Sequence, residues 1–279
     1  MRDFVGKTAV ITGAASGIGL ALARRAAKEG MRLLLADIEA EKLKAAAAAL
    51  DIAEERLLLD TLDVGRDADI SRLADKAFER FGKVHLLCNN AGVGLSRVAW
   101  EHSLKDWEWV LNVNLWSVIH GIRHFMPRML AQDEDGHIVN TASVAGLLST
   151  PGMAAYNVSK HGVVTLSETL YAELAALKAK IGVSVLCPAW VPTAIHQSAR
   201  NRPDGPQAAS EVSAQSRTYE ERMGQAVTAG RMTAEDMANA VFEAIAEKRF
   251  YVIPHRKIGP AIQLRMDDIL QQRNPTPLG

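Results

Sequence analysis

The chain is 279 residues long and has only two cysteines, Cys88 and Cys187, neither in a CxxC or other metal-like spacing. That excludes a disulfide framework and a cysteine-built metal site. Both thiols read as reduced core side chains inside apolar runs. There is no excess charge of either sign, since Lys plus Arg and Asp plus Glu both total 32. Nothing in that balance points to nucleic acid or to an anionic membrane as partner. No apolar run is long enough to span a bilayer, and the first residues carry no apolar signal segment. A cytoplasmic protein is the expectation. Internal repeats are absent, and the one biased stretch is a short alanine run at 45–49.

What is present is alternation. Apolar or β-branched runs at 7–12, 31–36, 56–61, 83–88, 136–141, 183–187 and 250–253 read as strands. Between them lie helical patterns at 17–29, 38–50, 67–81, 103–131, 154–180 and 233–247. Strands buried on both faces and joined by helical crossovers predict an α/β fold. It should be one doubly wound parallel sheet of about seven strands in a single domain, 1–279. Ligands in such folds sit beyond the carboxyl ends of the strands, so the informative residues should follow each strand. Residues 194–231 depart from the alternation; rich in polar residues, with Pro203, Gly205, Pro206, Gly224 and Gly230, they read as an inserted substrate lid. The tail at 273–279 is expected to fray.

After the first strand comes Thr12-Gly13-Ala14-Ala15-Ser16-Gly17-Ile18-Gly19, a G-x-x-x-G-x-G spacing opening a helix. Such glycines allow a tight turn and close approach of backbone to a pyrophosphate, which the helix N-terminus favours. Asp37 ends the second strand about 20 residues past the loop, where a carboxylate can bind adenosine ribose hydroxyls. The plainer reading is an N-cap for the helix that follows, and both can hold at once. Asp63, after the third strand, suits either the adenine amino group or a plain turn. No Arg or Lys stands at Ile38 or at Ala14, Ala15 or Ser16 to welcome a 2′-phosphate, so NAD is expected over NADP.

Further along come Asn89-Asn90-Ala91-Gly92, Asn112-Val113-Asn114, Ser143, Tyr156-x-x-x-Lys160 and Pro188 through Thr193. In this order and at these strand ends, the set resembles the short-chain dehydrogenase/reductase family over nearly all of residues 5–253. The resemblance implies an NAD-dependent oxidoreductase acting on a secondary alcohol or ketone. Asn114, Ser143, Tyr156 and Lys160 would be its catalytic set. Cofactor contacts would come from Gly13, Ser16, Gly17, Ile18, Gly19, Asp37, Ile38, Asp63, Val64, Asn90, Ala91, Gly92, Tyr156, Lys160, Val191 and Thr193.

Chemistry explains the grouping. A hydride leaves an alcohol carbon only as the hydroxyl proton is lost, so a base is needed at that oxygen. A free Tyr, with a pKa of roughly 10, is a poor one. A Lys one helical turn away favours the phenolate. Ser143 can steady the substrate oxygen, and Asn114 resembles the family asparagine that holds a water linking the Lys to solvent.

Where the family has Pro-Gly, this chain has Pro188-Ala189, so the backbone there is expected to differ. Leu95, Trp100, Met153, Trp190 and His196 are candidate substrate contacts. Short segments at 182–189, 198–203 and 250–254 are similar to bacterial Cα-dehydrogenases of aryl alcohols, which suggests a bulky hydrophobic substrate. The resemblance also implies a homodimer or homotetramer built through 103–131 and 154–180. A catalytically silent NAD-binding scaffold on the same fold is the alternative. His120 and His124 stand four apart on a helix but lack the HExxH glutamate, and no metal is expected.

Overall fold

A computed structural model of the protein describes residues 1–205 and 212–277. Seven parallel strands run β1 (Thr8–Thr12), β2 (Arg32–Asp37), β3 (Leu57–Thr61), β4 (Leu86–Asn89), β5 (Gly136–Thr141), β6 (Ile181–Leu186) and β7 (Tyr251–Val252). They form one sheet in the order β3-β2-β1-β4-β5-β6-β7. The helices are α1 (Gly17–Lys28), α2 (Ala40–Ala48), α3 (Asp67–Phe81), α4 (Leu104–Leu111), α5 (Ser117–Ala131), α6 (Ala154–Ala176), α7 (Ala214–Thr228), α8 (Ala234–Glu247) and α9 (Gly259–Leu270). The expected doubly wound α/β architecture is what the chain adopts.

Alternation along each strand assigns its side chains to two cores. Leu33 and Leu35 join Leu22 of α1 and Phe242 of α8 on one face. Leu34 and Ala36 meet Leu73 of α3, Phe125 of α5 and Leu170 of α6 on the other. The chain leaves β1 toward β2 and β3, then crosses back to β4 and winds the opposite way. Crossovers therefore diverge between β1 and β4, opening a groove at their carboxyl ends.

Boundaries differ from expectation where local physics intervenes. The region 103–131 is three pieces, because Asn112–Trp116 widens to a π-helical turn between α4 and α5. Strand β6 begins at Ile181 and includes Gly182, a residue that normally discourages a strand. A side chain there would meet the His137 ring at 2.6 Å, so glycine is the packing solution and not a break. Helix α2 starts at Ala40, later than expected, with Glu39 as its cap. The inserted stretch contains a 3₁₀ segment, Ala194–Asn201, and a full helix, α7. Only Ser216, Met223 and Val227 of α7 are buried, too few for an apolar stripe to show in sequence. Helix α9 lies beyond the last expected element.

The insertion is tied to the body by a buried charge cluster. Arg97 and Arg202 both donate to Asp106 of α4, and all three side chains are at most 3% exposed. Asp106 also closes a capping box with Ser103. Asp106→Ala would leave two guanidiniums buried beside a missing carboxylate. That should lower stability by about 3–5 kcal/mol, read as a large fall in the urea midpoint. A loss of only a few tenths of a kcal/mol would show that water replaces the carboxylate there.

Candidate active site

The groove between the diverging crossovers is a cavity of about 610 Å³ that runs along the carboxyl ends of the strands. At one end lie Asp37, Ile38, Asp63 and Val64; at the other lie Ser143, Met153, Tyr156, Lys160 and Trp190. The glycine loop and Asn90-Ala91-Gly92 form its floor.

Close approach in the loop is steric. Gly13 has φ +67°, and a Cβ on it would sit 2.8 Å from the Ala91 Cα. A Cβ on Gly19 would fall 2.0 Å from the Gly13 carbonyl oxygen and 2.6 Å from Asn90 Nδ2. The Ser16 side chain makes no capping hydrogen bond, so the first-turn amides of α1 stay free to bind phosphate oxygens. Asp37 is buried, and its two carboxylate oxygens accept from the Ala15 and Glu39 amides at 2.9 and 3.0 Å. These bonds fix its orientation, and it is held there by the loop rather than serving as a helix cap. Asp63 accepts from the Gly65 amide and also lines the cavity, so its turn role and its position at the cleft coexist.

Tyr156 and Lys160 stand one turn apart near the start of α6, both buried. Lys160 Nζ donates to the Thr141 carbonyl at 2.8 Å and lies 5.6 Å from the centre of the Tyr156 ring. Burial pushes the Tyr156 phenol up to about 12, with a hydrogen bond to Ser143 working against it. Burial also brings the Lys160 ammonium down to about 8. Desolvation thus outweighs the charge effect of lysine on tyrosine that the spacing suggests. A further positive charge beside the ring would favour the phenolate.

Asn114 does not face the cavity. It sits in the π turn, accepting from the Val93 amide at 2.8 Å and donating to the Val93 carbonyl and Ser159 Oγ. A side chain on Gly92 would lie 3.4 Å from Asn114 Oδ1 and 3.5 Å from Lys160 Nζ, so the two polar groups converge behind that glycine.

Several expected contacts are corrected. His196 is outside the cavity; its Nδ1 lies 3.1 Å from the Thr193 carbonyl, over a shallow depression beside α7. Leu95 is buried among Val93, Trp109, Val110 and Ala155 instead. Trp100 is 85% exposed and away from the cleft. From the inserted stretch, Ile195 and Met223 line the cavity, whereas Tyr219 packs on Gly152. Ala189 does not adopt positive φ, so alanine is unstrained there. Its amide instead donates to Nδ1 of His255, at 3.1 Å, while Ser143 Oγ and the Val144 amide donate to the Pro188 carbonyl. His120 and His124 both point at Asp67 Oδ1, and no group suited to a metal ion occurs among the described residues.

Sequence reading missed Glu39, Val93, Ser198, Arg200, Arg202 and Val227, which also line the cavity. Glu39 adjoins Asp37 and could have been suspected. Val93 and Val227 come from positions that no motif marks, and Ser198, Arg200 and Arg202 from the 198–203 segment, whose likeness suggested a substrate class but no contact.

A glycine-floored cleft with a fixed carboxylate at one end and a buried Tyr, Lys and Ser at the other defines an oxidoreductase of the dinucleotide-binding class. Residues 7–204 match the family model for short chain dehydrogenases, and the chain belongs to that family. A crystal structure of a short chain dehydrogenase/reductase from Burkholderia phymatum, in complex with NAD, is 47% identical. It covers all of both chains, with a TM-score of 0.95. A CLA biosynthesis dehydrogenase/reductase of Lactiplantibacillus plantarum is 33% identical over 99% of this chain and 97% of its own. A C alpha-dehydrogenase of a Sphingobium strain is 30% identical over 99% and 89%.

Proposed function

We propose that this protein uses NAD to move a hydride to or from the carbinol carbon of a neutral, bulky, hydrophobic secondary alcohol or its ketone. The observation that carries this reading is the single cavity joining the Asp37 end to Tyr156, Lys160 and Ser143. The cradle fits the cofactor, since free helix amides face the phosphate position and a fixed carboxylate faces the ribose position. When bound, oxidised NAD supplies the hydride acceptor and a positive charge close to the phenol.

Ser143 Oγ holds the substrate oxygen against Tyr156. Tyr156, held as the phenolate that Lys160 favours, takes the hydroxyl proton as the carbon–hydrogen bond breaks and becomes the phenol. Asn114, fastened to Val93 and Ser159, positions the polar path behind Gly92 by which a proton returns to solvent. In the reductive direction the same groups work in reverse.

Substrate chemistry follows from the walls. Val93, Met153, Trp190, Ile195, Met223 and Val227 enclose the catalytic end. The guanidinium there, Arg202, is already engaged by Asp106 and Asp204. Apart from the catalytic Lys160, which is buried against the Thr141 carbonyl, the rest of this end offers a ring or alkyl chain apolar cover. The segment 194–231 acts as the lid over this end. Residues 206–211 of it lie outside the described residues.

An NAD-reduction screen over aryl, aliphatic, steroid and sugar secondary alcohols tests the reading. Turnover should favour the bulky neutral ones, and NAD over NADP by roughly a hundredfold, because Asp37 cannot turn away from a 2′-phosphate. Equal kcat/KM for the two cofactors would refute the role of Asp37, and a blank screen despite NAD binding would restore the silent scaffold.

Tyr156→Phe should reduce kcat by at least a hundredfold, the usual worth of positioned acid–base catalysis, with NAD affinity little changed. Because the base must be deprotonated, wild-type alcohol oxidation at saturating NAD should rise with pH. Its apparent pKa should fall well below the value of about 12 to which burial pushes the phenol in the absence of the cofactor's charge. Lys160→Ala should move that inflection upward. More than a tenth of wild-type turnover in Tyr156→Phe would place the proton elsewhere.

The α4–α5 and α6 surfaces carry exposed Leu104, Trp116, Val158, Tyr171 and Leu177, apolar area suited to burial against a second copy. Trp109 and Phe125, by contrast, are core. Light scattering at micromolar concentration should find a dimer or tetramer, and monomer alone would exclude an interface here.

A further inference from the structure

Glu39 and Arg200 are 161 positions apart and meet across the cleft. Glu39 follows β2 and Arg200 lies in the 3₁₀ segment after β6. In the sheet order these are the second strands from opposite edges, with β1, β4 and β5 between them. The two side chains therefore reach each other only by spanning the carboxyl ends of those three strands. Both line the same cavity as Asp37 and the glycine loop.

The contact is built rather than incidental. Arg200 Nε and Nη2 donate to the two carboxylate oxygens of Glu39 at 3.2 and 2.9 Å. Its Nη1 donates to the Ala194 and Gln197 carbonyls at 3.0 and 2.9 Å, which holds the guanidinium in place on the lid. The side chains are 30% and 17% exposed, so the pair is partly shielded from water. The hydrogen bond from Arg200 holds the Glu39 carboxyl down at about 2, so the carboxylate that Arg200 grips stays ionised through the neutral range. Farther along the lid, Arg202 is sunk on Asp106 with almost no exposure. One fastening is deep and permanent. The other is shallow and crosses the groove.

We propose that Glu39 and Arg200 form a clasp over the bound dinucleotide, which must open for the cofactor to leave and so sets its release rate. The proposal rests on the NAD reading above. It gives Glu39 a task separate from the ribose recognition assigned to Asp37.

Release of NADH from the binary complex, followed by its fluorescence in a stopped-flow displacement with excess NAD, reads the clasp without turnover. Glu39→Gln and Arg200→Gln should each speed release by about fivefold, as expected for a bidentate, partly shielded pair. The double substitution should be no faster than either single one, since each breaks the same contact. Lys42 also bonds Glu39, but within the same helix turn, so Lys42→Gln should leave release unchanged. Unchanged release in the Glu39 and Arg200 variants, effects that multiply in the double, or an equal effect from Lys42→Gln would each overturn the clasp. Failure of the wild type to bind NADH at all would overturn the cofactor reading and the clasp with it. Binding with indifferent variants would overturn the clasp alone.

Discussion

The cleft depends on a contact that admits no side chain. Gly19 lies against the Gly13 carbonyl and the Asn90 amide so closely that a single methyl group would overlap both. That contact pins the first turn of α1 to the loops after β1 and β4, where the crossovers part. Everything functional is measured from it. The free amides of α1 face the groove only because the helix starts this close to the strand ends. Asp37 is oriented by the Ala15 amide of the same loop, and Thr193 leans on Gly17 from the far side. Divergence of the crossovers makes a groove possible, and the glycines bring backbone donors to its floor.

At the catalytic end the ruling quantity is desolvation. Water is excluded from Tyr156 and Lys160 alike, which raises one and lowers the other until their ordinary ranges change order. In the proposed mechanism, the positive charge of the oxidised cofactor works against that desolvation and favours the phenolate. The π turn also turns Asn114 inward, where its side-chain amide pairs with both the amide and the carbonyl of Val93.

Legibility in the sequence followed the range of the forces involved. The sheet was readable because strand burial and helix periodicity are local, and the glycine loop, Asp37 and the Tyr–Lys spacing declare themselves within a few residues. Gly182 misled because its reason, the His137 ring, is a cross-strand neighbour. Helix α7 was hidden because it covers a cavity and not a core, so few of its positions are apolar. The Glu39–Arg200 and Arg202–Asp106 pairs were invisible for a different reason. Opposite charges are abundant in this chain, and only the folded topology says which ones meet. His196 and Trp100 were attractive for their chemistry, yet the turn of the backbone after Thr193 and the exposed 3₁₀ turn at Ala99–Glu101 carry them away from the cleft.

The bond from the Ala189 amide to His255 couples two distant parts of the chain. The family glycine at this place supplies freedom locally, by lacking a side chain. Here the same stretch of backbone is held from outside, by an imidazole that arrives from beyond the last strand and that must keep Nδ1 unprotonated to accept the bond. Without that imidazole the Ala189 amide would lose its partner, so the geometry of the loop after β6 is held in part by a residue 66 positions further along the chain.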